Sequence, residues 1–149
     1  MSIFPTKILL ATDGSEEARQ AAQAAAELSK DTGSEVHVTY VLPSPRELRR
    51  HHTYSRDVMR SVLEQAEGEA RSFLEAQAKQ VGESGGNVAE THLRAGEPDK
   101  EIVKLSEELG AGAIVIGSRG LGAVSRALMG TVSESVVRHA HCPVFVVRK

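Results

Sequence analysis

The sequence predicts an open α/β sheet of five parallel strands with helices on both faces, and three observations carry that prediction. Apolar runs of strand length alternate along the chain with segments of helical periodicity. The apolar residues are mostly Val, Ile, Leu and Ala: hydrophobic residues make up 40% of the chain but aromatics only 3%, with no Trp. That composition suits parallel strands buried under Ala-faced helices. The two segments richest in chemical groups, Thr12-Asp13-Gly14-Ser15 and Gly117-Ser118-Arg119-Gly120, each follow directly on an apolar run, where ligand loops of such sheets lie.

The elements follow in order. Ile8-Leu9-Leu10-Ala11 reads as a short buried strand. Asp13 or Ser15 caps the next helix, Asp13 having capping-box spacing with Glu16. From Glu16 to Lys30, Ala18, Ala21, Ala22, Ala25 and Leu28 form a stripe that lets a helix sit close on a sheet, and Gly33 ends it. Glu35 to Leu42 is the second strand, stopped by Pro43-Ser44-Pro45. Residues 46–54 read as a loop or the start of a helix, and a long helix over 55–81 carries Met59, Val62, Ala66, Ala70, Phe73 and Leu74 at helical spacing. Asn87 to Leu93 alternates, Val88, Glu90 and His92 opposite Ala89, Thr91 and Leu93, as in an edge strand with one wet face. Pro98 opens a helix whose Ile102, Leu105 and Leu109 face inward. Ala113 to Ile116 is the fourth strand, a helix follows from Thr131 to His139, and Pro143 to Val147 is the last strand.

This succession implies βαβ units with right-handed crossovers in one domain spanning residues 1–149. If the strand order is 3-2-1-4-5, the switch point falls between the first and fourth strands, whose carboxyl ends carry Asp13 and Gly117. That coincidence favours the order.

Bulk properties exclude several classes. The net charge of −2 gives no global attraction to nucleic acid. Charge is uneven, however: residues 111–149 hold five Lys/Arg against one acid, the rest 13 against 19, so the glycine-rich segment lies in the basic part. The single cysteine, Cys142, allows no internal disulfide and fits a reducing compartment. No apolar stretch approaches the roughly 20 residues of a membrane span, and residues 1–7 lack the pattern of a secretory leader, so a cytoplasmic protein is expected. His139, His141, Cys142 and the pair His51-His52 lack structural zinc spacing. The basic run from Arg46 to His52 has no interleaved aromatics and reads as a wet loop.

The strongest motif is Gly117-Ser118-Arg119-Gly120, nine residues, then Gly130-Thr131-Val132-Ser133. Two glycines three apart let backbone pass close to a bulky ligand. Gly-Thr-Val-Ser at a helix start offers unpaired N–H groups, two hydroxyls and the positive end of a helix dipole. The pair describes a phosphate pocket, and hence a nucleotide pocket. Thr131 and Glu134 also have capping-box spacing, so Thr131 can cap its helix as well. Neither the Walker lysine nor the dinucleotide fingerprint is present.

These residues, with Ile8-Leu9-Leu10-Ala11-Thr12-Asp13-Gly14-Ser15 and Cys142-Pro143-Val144-Phe145-Val146-Val147, resemble the ATP-binding branch of the universal stress protein family over nearly the whole chain. Ala11 and His141 stand where many relatives have proline. The resemblance implies a Rossmann-like fold of order 3-2-1-4-5 with ATP at the carboxyl end of the sheet. It implies Thr12 and Asp13 near ribose and phosphates, and the Val41 backbone against adenine. Gly117, Arg119 and Gly120 would border ribose and phosphates, with Gly130, Thr131, Val132 and Ser133 on the phosphate tail. Asp13, a carboxylate at a strand end, suits Mg²⁺ held through water as well as a helix cap.

Ser118, Ser125 and Ser133 have no histidine near them in sequence, and only Arg119 and Arg126 stand out as charge stabilisers, so binding with slow or no hydrolysis is expected. The last strand, Pro143–Val147, is apolar and followed only by Arg148 and Lys149, which predicts pairing with a second copy about a two-fold axis. The functional expectation is an ATP-binding, dimeric stress-response module. The alternatives are a low-turnover ATPase or nucleotidyl-transfer enzyme, and a nucleotide-free interaction scaffold.

Overall fold

The computed structural model describes residues 2–46, 49, 55–118 and 130–148. The elements run β1 (Lys7–Thr12), α1 (Glu16–Thr32), β2 (Glu35–Leu42), α2 (Arg56–Glu83), β3 (Asn87–Ala95), α3 (Pro98–Leu109), β4 (Ala113–Gly117), α4 (Thr131–His139) and β5 (Val144–Val147). All strand pairings are parallel, and the order across the sheet is β3-β2-β1-β4-β5.

The two-residue period of β1 divides the core. Ile8 and Leu10 face one side, where Ala21, Ala22, Ala25 and Ala26 of α1 and Leu74 and Val81 of α2 cover them. Leu9 and Ala11 face the other, under Ile102 and Leu105 of α3 and Val136 of α4. Ile114 and Val115 of β4 are split the same way. Each large aliphatic side chain so buried contributes about 1.5–3 kcal/mol relative to exposure. The alanine face of α1 contributes closeness instead: with only methyl groups between helix and sheet, the first turn of α1 comes up against the end of β4.

Three local expectations need correction. The N-cap of α1 is Ser15, whose Oγ accepts from the Ala18 N–H at 3.2 Å, so Asp13 and Glu16 form no capping box. Asp13 Oδ1 instead accepts from the Ser15 N–H at 2.9 Å and braces the turn. Val88 and Leu93, placed on opposite faces by strict alternation, both pack on the α1–α2 core. A bulge causes this: Val36 pairs with Val88 but His37 with Glu90, so Ala89 is an extra residue that reverses the parity of everything after it. Phe73, expected on the buried stripe of α2, is 38% exposed. Its ring leaves the helix interface to stack on Tyr40, with centroids 5.9 Å apart, beside Gly14.

Among the described residues, no helix is long and apolar enough to cross a membrane.

Candidate functional site

Parallel β1 and β4 are neighbours, but their outgoing connections go to opposite faces of the sheet: β1 feeds α1 and β4 leads towards α4. A gap therefore opens at their carboxyl ends, as chain connectivity demands at a switch point. A cavity of about 610 Å³ occupies it, within the range of small-ligand sites.

Eight of the ten residues singled out in the sequence line this cavity: Thr12, Asp13, Val41, Gly117, Gly130, Thr131, Val132 and Ser133. The other two, Arg119 and Gly120, lie outside the described residues. Sequence reasoning missed the apolar walls, Ile102, Ile116 and Pro98, and the Tyr40–Pro43 flank at the end of β2. A signal for Tyr40 and Pro43 existed, since they border Val41 at a strand end. Ile102 and Ile116 read only as core residues, and their exposure to the cavity comes from packing.

One wall is a helix start. The N-cap of α4 is Gly130, with extended backbone (φ −69°, ψ 160°) and no side chain to cap with. Thr131 is the first helical residue and is exposed, so it does not cap, and the expected capping box with Glu134 is absent. A glycine cap leaves the N–H groups of Thr131, Val132 and Ser133 without side-chain acceptors from the N-cap position. Ser133 itself is buried, and its Oγ donates to the Ser118 carbonyl at 2.5 Å and the Gly130 carbonyl at 3.0 Å. This end of α4 therefore offers amides and the Thr131 hydroxyl, and the Ser133 hydroxyl is already engaged.

The facing wall is the turn after β1. Thr12 is buried with its Oγ1 3.4 Å from the Gly14 N–H, and Asp13 lines the cavity beside it. Gly117 also lines the cavity, but the space its missing side chain leaves is filled by the protein. A Cβ there would meet Glu17 Cβ at 3.1 Å and the Glu17 carbonyl carbon at 3.3 Å. The close approach of α1 is thus a second reason for glycine here, besides its place on the cavity wall.

The third side is the overhang of β2. Pairing with β1 ends at Thr12↔Tyr40, while β2 continues to Leu42. The Leu42 carbonyl accepts from Gly96 N–H at 2.8 Å on the β3 side. Because successive residues of a strand turn their polar groups to opposite edges, Val41 presents its carbonyl toward the β1 side, past the last paired position. Tyr40 lies beside it; burial pushes its phenol up, and the Asp13 and Glu69 carboxylates push in the same direction. The phenol is a neutral hydrogen-bond donor throughout the physiological range.

Asp13 and Tyr40 are the ionisable side chains among the described lining residues. No group of three His, Cys, Asp or Glu among the described residues is placed to hold a metal ion unaided.

Comparison with known proteins agrees with this architecture. The model of the universal stress protein family matches residues 5–148. A universal stress protein of Methanocaldococcus jannaschii is 33% identical over 143 residues, covering 96% of this chain and 82% of that protein. The solved structure of the hypothetical protein MJ0577 superposes with a TM-score of 0.82 at 28% identity, over 98% of this chain and 97% of that one. A universal stress protein from Archaeoglobus fulgidus, solved in complex with dAMP, is 27% identical with a TM-score of 0.68 over 98% and 99%. The chain belongs to the universal stress protein family.

Proposed function

We propose that the protein binds ATP in the switch-point cavity and works as a dimeric regulatory module with slow or no hydrolysis. The observation that carries this reading is the opposition of the glycine-capped α4 start to Thr12 and Asp13 across one cavity. Backbone amides and a positive dipole end on one side suit a polyphosphate. The Val41 carbonyl accepts from the exocyclic amine of adenine, a contact guanine cannot make with its carbonyl at that position, and Ile102 and Ile116 flank the base. The dAMP carried by the Archaeoglobus fulgidus relative supports a nucleotide here.

Asp13 and Thr12 are hard oxygen donors, which Mg²⁺ prefers, and one carboxylate is the usual protein share when phosphates supply other ligands. Asp13 would hold the ion through water while its Oδ1 keeps the Ser15 bond. Slow turnover accords with the described lining, whose ionisable side chains are Asp13 and Tyr40; the two candidate charge stabilisers, Arg119 and Arg126, lie outside the described residues. For the dimer, β5 is the edge strand beyond β4, and Phe145 on it is 42% exposed. An apolar edge of this kind pairs readily with a second copy.

Calorimetry with Mg-ATP tests the reading. Saturable binding is expected, with GTP much weaker. Absence of heat at millimolar ATP, GTP and AMP overturns it. Phe145→Lys should convert a sedimenting dimer to monomer, and a wild-type protein that sediments as a monomer at every concentration removes the assembly.

A further inference from the structure

Ser118 joins three elements around the cavity, although it does not line it. It is 5% exposed and every polar group it carries is engaged. Its N–H donates to the Val147 carbonyl of β5 at 2.8 Å. Its Oγ donates to Glu17 Oε2 of α1 at 2.6 Å. Its carbonyl accepts from both the Gly130 N–H and Ser133 Oγ, each at 2.5 Å. The chain thus leaves the sheet at Ser118 and, twelve positions later at Gly130, is fastened back onto the same residue at the start of α4.

We propose that Ser118, anchored by the buried Glu17 carboxylate, is the positioning residue that sets the phosphate-binding amides of α4 against the β1 turn; this rests on the nucleotide reading above.

The first turn of α4 needs a fixed place. Amides bind phosphate oxygens only within hydrogen-bond distance, and a displacement near 1 Å costs most of the interaction. The helix has nine residues, and its cap is a glycine without a side chain. What fixes its start is the Ser118 carbonyl, held by both Gly130 and Ser133. What fixes Ser118 is a short charge-assisted hydrogen bond, stronger and more directional than a neutral one. Glu17 is itself 7% exposed and sits in the first turn of α1, where the helix dipole favours a carboxylate. Gly117 completes the arrangement, because a Cβ there would press on Glu17 at 3.1 Å and push it outward.

The account separates two parts of the ligand. The adenine contact depends on Val41 and the β2 overhang, to which Ser118 makes no bond. The phosphate contact depends on α4. Loosening Ser118 should therefore weaken ATP and spare adenosine, whereas general damage to the fold weakens both.

Calorimetry of the full chain with ATP and with adenosine tests this on Ser118→Ala, Ser118→Thr, Glu17→Ala and Glu17→Gln. Ser118→Ala and Glu17→Ala should lose about tenfold or more in ATP affinity, with adenosine changed by no more than about twofold. Ser118→Thr keeps the hydroxyl and should bind ATP nearly as the wild type does; Glu17→Gln keeps an acceptor oxygen but loses the charge, so its ATP affinity should fall between those of the wild type and Glu17→Ala. Equal losses for ATP and adenosine, or unchanged ATP affinity, overturn the proposal. Should the alanine variants not fold, Glu17→Gln decides: a selective loss of ATP affinity with adenosine spared supports the anchor, and unchanged ATP affinity refutes it. A wild type that binds adenosine but gains nothing from the phosphates refutes the positioning role alone; one that binds neither ligand refutes the nucleotide reading with it.

Discussion

The two ends of the sheet each carry a depression, about 610 Å³ at the carboxyl end and about 520 Å³ at the amino end, and they are opposite in electrical sense. At the carboxyl end helices begin: Ser15, Pro98 and Gly130 all line the cavity. At the amino end helices finish: Gly33 and Gly110, the C-caps of α1 and α3, line the hollow with Lys7, Glu35 and Asn87. The caps there close their helices internally, Gly33 N–H onto Ser29 and Gly110 N–H onto Glu107. Similar volume therefore does not mean similar use. One end presents donors and positive dipole ends, the other spent carbonyls and negative ends. A βαβ fold imposes this asymmetry on any sequence; what this sequence adds is a glycine cap and a carboxylate facing each other across the positive end.

Gly117→Val should break the comparison most severely. Its side chain collides with Glu17 backbone at the start of α1, costing about 1–3 kcal/mol in stability and abolishing ATP binding. Thermal melts and calorimetry check both parts.

Thr131→Pro is gentler and sharper. The residue occupies the first helical position, where proline is tolerated, and Gly130 already has the extended ψ of 160° that a following proline requires. The change deletes one amide donor without breaking a helix bond. ATP affinity should fall by about 10- to 100-fold with the melting temperature unchanged. Thr131→Ala, which keeps the amide, should lose much less.

Gly110→Ala is the matching change at the amino end. Its φ of 66° is left-handed and open space surrounds the site, so the cost is backbone strain alone, about 1 kcal/mol. ATP affinity should not move. If it does, the two ends are not independent.

The smallest effect concerns pH at the β2–β3 edge. His37 Nδ1 and His92 Nε2 are 3.0 Å apart, with stacked rings. His92 is pulled below the ordinary 6.5, first by burial and then by His37, with Arg94 adding to it and Glu90 and Glu108 opposing. The unfolded chain then binds more protons than the folded one as pH falls through about 6.5, so stability drops on acidification. Urea midpoints at pH 7.5 and 5.5 should differ by more in the wild type than in His92→Gln.

The legible and illegible parts of the chain divide on physical grounds. Strand and helix limits at Glu35–Leu42 and Thr131–His139 were readable because local signals coincide there: Gly33 and Pro43 around the strand, Gly130 and the last basic turn around the helix. The cavity-lining residues were readable because they sit in short, contiguous segments at the ends of β1 and β4 and at the start of α4. The bulge at Ala89 was not, since it is set by pairing with β2 and leaves no mark on β3 alone. Nor was the reason for Gly117, whose neighbour Glu17 is a hundred residues away. The Glu17–Ser118 bond is equally long-range, spanning 101 positions. Local rules name the residues of this site; tertiary packing assigns their tasks.

An amide-resolved nitrogen–proton NMR titration with ATP tests the central claim, that phosphate is held where helices begin, most directly. The account predicts that Thr131, Val132 and Ser133, with the turn at Asp13 and Gly14, show the largest shifts, and that Gly33 and Gly110 stay in place. Shifts concentrated at Gly33 and Gly110, or none anywhere at saturating ATP, would contradict it.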